Sequence, residues 1–197
     1  MPNEPLRVLA VVGSMCEKSA TRTVLLHAAE ELRSGGCVID ILDLHAEQLP
    51  LFNPETTYRA AHYPALTKRL EQADVFLLAT PDYHGSVSGA LKNFLDHGWK
   101  EFTGKLFATI VGSFEKGLTV HDQLRTVARQ CYAWSMPYGV SFVEKEDLKD
   151  GQIVSDALKQ RLEMLSRDVR VYGRLLAHQR HADIAGRDTS FLARQRK

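Results

Sequence analysis

Hydrophobic residues along the chain alternate between short continuous runs and longer stretches with helical spacing. Leu6 to Val12 is a nearly continuous apolar run that ends at Gly13, which is typical of a buried strand. After a polar loop, apolar positions recur at helical spacing from Val24 to Leu32, and Gly35 and Gly36 supply the stop signal. The pattern therefore predicts a strand, a loop and a helix in that order.

The same alternation repeats along the rest of the chain. Further strands are predicted at 37–42, 75–79, 106–111 and 136–143, and further helices at 64–73, 87–99, 120–131 and, with Ser155 as cap, 156–176. Pro137 and Gly139 are unfavourable inside a sheet, so we expect the last strand to lie at a sheet edge or to start at Pro137. Five strands, each followed by a helix, imply a parallel sheet covered on both faces. The predicted fold class is a doubly wound, three-layer α/β/α domain.

Composition narrows the functional classes. The chain has 197 residues, 44% of them hydrophobic, which suits one domain with a full core. Its net charge of +1 gives no field that attracts nucleic acid or an anionic membrane. Its three cysteines have no zinc-site spacing, so we expect no metal and a reducing, cytoplasmic location. We also expect neither a signal peptide nor a membrane span. We expect one domain at 1–179 and a basic tail at 180–197.

The loop after the first strand is a candidate phosphate site. In a doubly wound sheet, ligands bind outside the carboxyl ends of the strands. The segment 13–22 offers the hydroxyls of Ser14, Ser19 and Thr21 and the amides of residues 19 to 21 at a helix N-terminus. Capping of the helix by Ser19 or Thr21 explains the same residues equally well. The glycine patterns of P-loop and dinucleotide folds are missing, so FMN suits this loop better than a dinucleotide. We therefore expect Asp40 and Asp43 to be solvated or capping carboxylates, not ribose ligands.

The segment after the third strand carries the densest motif. It runs Pro81-Asp82-Tyr83-His84-Gly85-Ser86-Val87-Ser88-Gly89-Ala90-Leu91-Lys92-Asn93-Phe94-Leu95-Asp96. This stretch closely resembles the P-[ED]-Y-[HN]-x-S-x-x-G-x-L-K-N-x-[LI]-D signature of the NADPH-dependent FMN reductase family, which includes quinone, azo-dye and chromate reductases. The resemblance covers roughly residues 6 to 175 and implies a flavodoxin-like fold that holds FMN.

The resemblance and the chemistry of these residues imply a site for the isoalloxazine ring. Pro81 and Gly85 shape a tight loop whose amides can bind the polar edge of the ring, and Tyr83 and His84 lie against or beside it. His84 is then a cofactor contact and not a general base. We expect Ser86 to start the next helix, and Lys92, Asn93 and Asp96 to be scaffold or dimer-interface residues.

Two departures from the family pattern matter. Cys16 stands where many relatives have an arginine in a GS-x-R-x-x-S pattern, so Lys18 or Arg22 must compensate, or hydroxyls and amides must suffice. We expect Cys16 to be an inert small residue more than a reactive thiol. The loop after the fourth strand has few glycines; Gly117 permits a positive φ, Ser113 reaches the O2 side of the flavin, and Lys116 is either solvated or a nicotinamide-phosphate contact.

The residues expected to bind the cofactor therefore come from three loops: Ser14, Cys16, Ser19, Ala20, Thr21, Pro81, Asp82, Tyr83, His84, Gly85, Ser86, Ser113 and Gly117. The implied activity passes hydride from NADPH or NADH through N5 of FMN to a small-molecule electron acceptor such as a quinone, azo compound, metal oxyanion or free flavin, with no catalytic side chain. The alternatives are an FMN-binding electron carrier or redox sensor, or a relative that has lost flavin. By resemblance we expect a homodimer or homotetramer with contacts near Trp99 and Phe102.

Overall fold

A mostly parallel sheet lies between two layers of helices in the computed structural model, which describes residues 4–186. Its strands are β1 (Arg7–Val12), β2 (Val38–Asp43), β3 (Val75–Tyr83), β4 (Ser86–Val87), β5 (Leu106–Gly112), β6 (Trp134–Ser135), β7 (Val140–Phe142), β8 (Leu148–Lys149) and β9 (Gln152–Ile153). The helices are α1 (Ala20–Ser34), α2 (Tyr63–Gln72), α3 (Gly89–Asp96), α4 (Leu118–Gln130), α5 (Glu144–Asp147) and α6 (Asp156–Ala185), with short 3-10 helices at Thr57–Arg59 and Lys100–Phe102.

The strand order identifies the topology. The sheet runs β2-β1-β3-β5, and β6 and β7 both pair with β5 and share the fifth position. These neighbours are all parallel, whereas β4 folds back antiparallel on the end of β3, and β8 with β9 forms a separate hairpin. Counting β5 as the fourth strand gives the order 2-1-3-4-5 of flavodoxin-like sheets. The predicted fold class is confirmed.

Both faces of the central strands are buried. Along β1, Val8, Ala10 and Val12 join the apolar layer under α1 and α6, whereas Leu9 and Val11 join the layer under α2, α3 and α4. Side chains of a strand alternate between the two faces, so a strand covered on both sides must be apolar at nearly every position. This explains why β1 appears in the sequence as a continuous hydrophobic run.

The fifth strand is at the edge, as predicted, but it is broken into β6 and β7. Trp134 and Ser135 pair with the beginning of β5, and Val140 to Phe142 pair with its end. Pro137 and Gly139 lie in the break. A proline cannot donate to the ladder, and the edge position accommodates that loss.

The start predicted for the third helix was wrong. Ser86 and Val87 belong to β4, and Ser88 is the N-cap of α3, where its Oγ accepts from the amide of Leu91 at 3.1 Å. The strand β3 continues to Tyr83 and turns back, which moves the helix start two residues later. The helix also ends at Asp96, before the predicted Trp99.

Phe102 does not lie on the surface expected for a partner chain. It is completely buried, with its ring edge-to-face against Phe76 and Phe107 at centroid distances of 4.8 and 5.3 Å. Phe102 is therefore part of the core of this chain. Trp99, by contrast, is 60% exposed.

The last helix is longer than its apolar face predicted. Polar contacts anchor its end: Arg180 Nε donates to the carbonyl of Thr103 at 3.1 Å, and His181 lies 3.4 Å from the carboxylate of Asp74. The proposed boundary at residue 180 thus falls inside α6, and residues 187–197 lie outside the described part of the chain. Between residues 4 and 186, every helix is too short or too polar to cross a membrane.

Candidate functional site

The three candidate loops follow the carboxyl ends of the neighbouring parallel strands β1, β3 and β5. Val12 at the end of β1 is in register with Ala79 of β3, and Pro81 of β3 is in register with Gly112 at the end of β5. The phosphate loop (13–22), the hairpin at 82–87 and the third loop (113–117) therefore begin side by side. Strand order brings together residues that are up to a hundred positions apart.

Gly13 locks the phosphate loop against the hairpin strand. Its amide donates to the carbonyl of Ala79 at 2.7 Å, and its carbonyl accepts from Ser88 Oγ at 2.5 Å. A Cβ at this position would lie 2.7 Å from the Ala79 oxygen and 2.8 Å from Leu91 Cβ. Close backbone approach thus requires glycine here.

The N-terminus of α1 offers free hydrogen-bond donors. Ser19 is the N-cap, with its Oγ accepting from the amide of Arg22 at 3.2 Å. Within residues 4–186 the amides of Ala20 and Thr21 make no hydrogen bond, and the first turn has no acidic residue. Ser14 and Thr21 are buried hydroxyl residues in the same loop. Free amides at a positive helix end, with hydroxyls beside them, suit a phosphate group.

Arg22, the last residue of the phosphate loop, holds the loop through its guanidinium group. Its Nε and one terminal nitrogen donate to the Asp43 carboxylate at 2.5 and 3.1 Å, and the other terminal nitrogen donates to the carbonyls of Cys16 and Glu17 at 3.1 and 2.6 Å. Burial alone would raise the pKa of Asp43, but hydrogen bonds from Arg22 and the His45 amide hold it below the usual value. All three nitrogens of the Arg22 guanidinium group thus bond to protein groups.

The two acidic residues of β2 are in ion pairs. Asp43 pairs with Arg22, and Asp40 pairs with Arg69 through two bonds of 2.8 Å. Cys16 is exposed, and its amide donates to Ser14 Oγ at 3.3 Å. Both carboxylates of β2 are thus engaged within the protein.

The hairpin between β3 and β4 turns through two residues in the left-handed region. His84 has φ 58° and Gly85 has φ 75°, and the flanking pair is Tyr83 with Ser86. Two consecutive positive φ angles define the tight type I′ turn that suits a twisted hairpin. Asp82 stabilises the turn because its Oδ1 accepts from the Gly85 amide at 2.7 Å. Tyr83 and His84 are consequently held at an exposed tip.

The third loop is tied to the hairpin through Ser113. Its Oγ donates to Asp82 Oδ2 at 2.8 Å and accepts from the Glu115 amide at 3.1 Å. The hydroxyl proton of Ser113 is therefore used inside the protein. Gly117 has a positive φ of 58°, the conformation that its lack of a side chain was expected to permit, and it is the N-cap of α4. Phe114 beside it is 79% exposed.

Gln123 of α4 is a site residue that the sequence did not reveal. Its Oε1 accepts from Ser86 Oγ and from the Val87 amide, each at 3.1 Å, and its Nε2 donates to the Gly85 carbonyl at 3.1 Å. These partners lie 36 to 38 residues away along the chain. An exposed-looking glutamine on an amphipathic helix carries no local signal of this role.

Asn93 of the sequence motif acts as scaffold. Its Oδ1 accepts from the Phe52 amide at 2.8 Å, and its Nδ2 donates to the carbonyls of Leu49 and Pro50 at 3.3 and 3.0 Å. Lys92 and Asp96 form an exposed ion pair one helical turn apart. Asn93 thus ties α3 to the loop at 49–52, and the Lys92–Asp96 pair lies within α3. None of these bonds reaches the three candidate loops.

The fold is a flavodoxin-like α/β fold. At the carboxyl end of its sheet, the N-terminus of α1 lies beside an open hairpin whose exposed side chains, Tyr83 and His84, are aromatic. The family model for NADPH-dependent FMN reductase matches residues 6–147, so the chain belongs to that family and the resemblance seen in the sequence is confirmed.

Relatives and solved structures agree with this assignment. The chain is 29% identical over 156 residues to an NADPH azoreductase of Bacillus sp. (strain OY1-2), covering 77% of this chain and 84% of that protein. It is 30% identical over 168 residues to the NADH-dependent FMN reductase SfnF of Pseudomonas fluorescens (strain Pf0-1), covering 82% and 89%. The structure of FerB, a flavoenzyme NAD(P)H:(acceptor) oxidoreductase from Paracoccus denitrificans, matches with TM-score 0.71 at 21% identity, covering 86% of this chain and 98% of that one, which supports the fold.

Proposed function

We propose that the chain binds FMN with its phosphate at the N-terminus of α1. The donors are the amides of Ala20 and Thr21 and the hydroxyls of Ser14, Ser19 and Thr21. The observation that carries this proposal is the pair of amides that have no hydrogen-bond partner within residues 4–186, beside two buried hydroxyl residues. No basic side chain is needed, because a helix N-terminus already favours an anion. Cys16 contributes loop backbone and not a charge.

The isoalloxazine ring, in this proposal, lies at the hairpin. Tyr83 and His84 contact it with their exposed side chains, and main-chain groups between Pro81 and Ser86 bind its polar edge. Asp82, Gly85 and Ser86 act mainly by fixing the turn, because their polar groups bind Ser113, Asp82 and Gln123 respectively. Ser113 and Gly117 set the shape of the third loop beside the ring.

The proposed activity is transfer of reducing equivalents from NADPH or NADH to a small acceptor. FMN held by these residues would supply the redox chemistry, with N5 as the atom that accepts hydride. The protein binds and orients the reactants, and the three loops require no side-chain acid or base. Relatives named for NADPH and for NADH both exist, so either donor is compatible. Quinones, azo compounds, metal oxyanions and free flavin are the candidate acceptors.

Anaerobic stopped-flow spectroscopy tests this proposal. The purified, FMN-loaded protein is mixed with NADPH or NADH, and then with menadione. We expect rapid bleaching of the flavin band by at least one nicotinamide and recovery of the band with menadione. An electron carrier or redox sensor would hold FMN but show no bleaching with either nicotinamide, and that result would contradict the reductase activity.

We also propose that the protein acts as a cytoplasmic homodimer or homotetramer. In support, Trp99 and Tyr58 are 60% and 53% exposed and line, with Tyr63, a cavity of about 610 Å³ on the α2 side of the molecule. Exposed aromatic surface of this kind is typical of interfaces. Sedimentation velocity at micromolar concentration should give at least a dimer for the wild type and a smaller species for Trp99→Ser. A monomeric wild type would contradict the proposal.

A further inference from the structure

A buried histidine on α4 lies between two strands and the third loop. His121 is 5% exposed. Its Nδ1 is 2.8 Å from Thr109 Oγ1 of β5, and its Nε2 is 3.1 Å from Ser141 Oγ of β7. The same Ser141 hydroxyl makes a short hydrogen bond to the carbonyl of Lys116 in the third loop. One imidazole thus connects the sheet to the loop beside the proposed flavin ring.

The Lys116 carbonyl determines the direction of the two hydrogen bonds made by the Ser141 hydroxyl. The Lys116 carbonyl can only accept, so Ser141 must donate its single proton to it. Ser141 must then accept from Nε2–H of His121, which leaves Nδ1 of the neutral ring to accept from Thr109. These hydrogen bonds therefore require a proton on Nε2, and Nδ1 accepts from Thr109 when the ring is neutral. Burial, and secondarily Arg125, lowers the pKa of His121 to about 4, which agrees with a neutral ring.

The backbone around the imidazole is shaped to admit it. A Cβ at Gly139 would lie 2.3 Å from His121 Cε1, 2.4 Å from its Nδ1 and 2.5 Å from Thr109 Oγ1. Gly139 lies in the break between β6 and β7. Only a residue without a side chain fits against the Thr109–His121 hydrogen bond, so the interruption of the fifth strand and the position of the histidine are linked.

The hydrogen bond from Ser141 to the Lys116 carbonyl holds an unusual turn. Lys116 has φ 66° and Gly117 has φ 58°, and Lys116 is a residue with a Cβ in the left-handed region. Such a conformation persists only where surrounding contacts hold it. The loop it closes begins at Ser113, which is bonded to Asp82 of the hairpin. The chain of contacts therefore runs from β5 through His121 and Ser141 to the loop that borders the hairpin.

We propose that His121 is a positioning residue that fixes the third loop through Ser141, and that this fixed loop forms part of the nicotinamide-binding surface. His121 acts on no reacting atom. The second part rests on the reductase activity proposed above, whereas the first part concerns only the loop. The two parts are therefore tested by different measurements.

The matched variants are His121→Asn and His121→Gln. Asparagine places an acceptor near the position of Nδ1 but cannot reach Ser141, whereas glutamine places an amide donor near the position of Nε2. Ser141→Ala removes the hydroxyl while leaving the imidazole. Hydrogen exchange of the amides at 114–118 reports on the loop without any need for cofactor or activity.

We expect about tenfold faster exchange at 114–118 in His121→Asn and Ser141→Ala, and a rate within about twofold of wild type in His121→Gln. The double variant His121→Asn/Ser141→Ala should exchange no faster than either single variant, because both remove the same contact. Unchanged exchange in both single variants, or equal loss in the glutamine variant, would overturn the loop assignment. If the asparagine variant does not fold, Ser141→Ala alone decides.

Steady-state kinetics tests the second part. We expect KM for the nicotinamide to rise about tenfold in His121→Asn and Ser141→Ala with a much smaller change in kcat, and to recover in His121→Gln. A loosened loop with unchanged KM would overturn the nicotinamide role alone. Absence of flavin bleaching in the wild type would instead reject the reductase activity, while the exchange result would still stand.

Discussion

The phosphate loop and the hairpin at 82–87 are built on different principles, although they lie side by side. The phosphate loop is held by backbone contacts of Gly13 and by hydrogen bonds from Arg22, and in the described part of the chain the amides of Ala20 and Thr21 have no partner. The hairpin uses its own polar side chains internally: Asp82 binds Gly85 and Ser113. Its tip offers exposed side chains and backbone.

This difference separates residues that bind from residues that position. In the phosphate loop, the proposed direct donors are the amides of Ala20 and Thr21 and the hydroxyl protons of the loop. Within residues 4–186 none of these groups donates to a protein atom, although Ser14 Oγ and Ser19 Oγ each accept from a main-chain amide. Asp82 of the hairpin, Ser113 of the third loop and Gln123 of α4 already bond to other protein groups, so we expect their contribution to a ligand to be indirect. Substitutions in the first loop should therefore change affinity for the phosphate, whereas those in the second should change the ring environment.

The largest expected effect comes from breaking the contact that both loops share. Gly13→Ala places a Cβ against the Ala79 carbonyl, and we expect a loss of at least about 3 kcal/mol in the free energy of unfolding, with loss of FMN. Urea denaturation measures this. Gly89→Ala is the matched control, because a Cβ there has nothing within 4 Å and alanine suits the start of α3. Equal stability of both variants would contradict the shared contact.

The second prediction concerns how the buried His121 makes the free energy of unfolding depend on pH. The unfolded chain protonates His121 near the ordinary value of 6.5, but the folded protein does so only near a pKa of about 4, because of burial. Between these values the unfolded state binds more protons, so stability falls as pH falls, by up to about 3 kcal/mol. Asp122 and Arg125 are the charged groups beside the ring. The loss between pH 6.5 and 4 should be smaller in His121→Gln, and an identical pH profile would contradict this origin.

The third prediction separates capping from phosphate binding. Ser19 and Ser155 cap α1 and α6 by the same contact, at 3.2 Å in both. Each alanine variant should lose about 1 kcal/mol of stability. Only Ser19→Ala should also lose FMN affinity, by about tenfold, because only that cap faces the proposed phosphate. If FMN titration gives the same affinity for both variants, Ser19 is a cap alone.

The smallest expected effect is at the brace of the hairpin. Gln123→Glu keeps the acceptor for Ser86 and Val87 but loses the donor to the Gly85 carbonyl. We expect about threefold weaker FMN binding by fluorescence titration. Gln130→Glu makes the same charge change at the exposed end of the same helix and should have no effect. Equal losses in both would point to charge and not to the hydrogen bond.

Hydrophobic periodicity was enough to predict the sheet, because strands buried on both faces are apolar throughout. The order of elements and the three loops followed from this pattern. The hairpin did not, because His84-Gly85 lacks the asparagine or aspartate that usually signals a two-residue turn. The error at Ser86 followed from that, since pairing with β3 extends the strand at the expense of α3.

The residues of the candidate site could be predicted where they are neighbours in the sequence. They could not be predicted where folding brings a distant residue to the site. Ser14, Ser19 and Thr21 are grouped in sequence, and the motif groups Pro81 to Ser86. Gln123 and His121 act through tertiary contacts that no local pattern encodes. The length of α6 was also missed, because its last turns are held by polar contacts of Arg180 and His181 instead of an apolar face.

The central claim is that the phosphate loop recognises the phosphate of FMN. Fluorescence titration of the flavin-free protein with FMN and with riboflavin tests it most directly, since the two ligands differ only by that group. We predict that FMN binds about a hundredfold more tightly, which corresponds to two charge-assisted hydrogen bonds. Equal affinities for FMN and riboflavin, or no binding of either, would contradict the account.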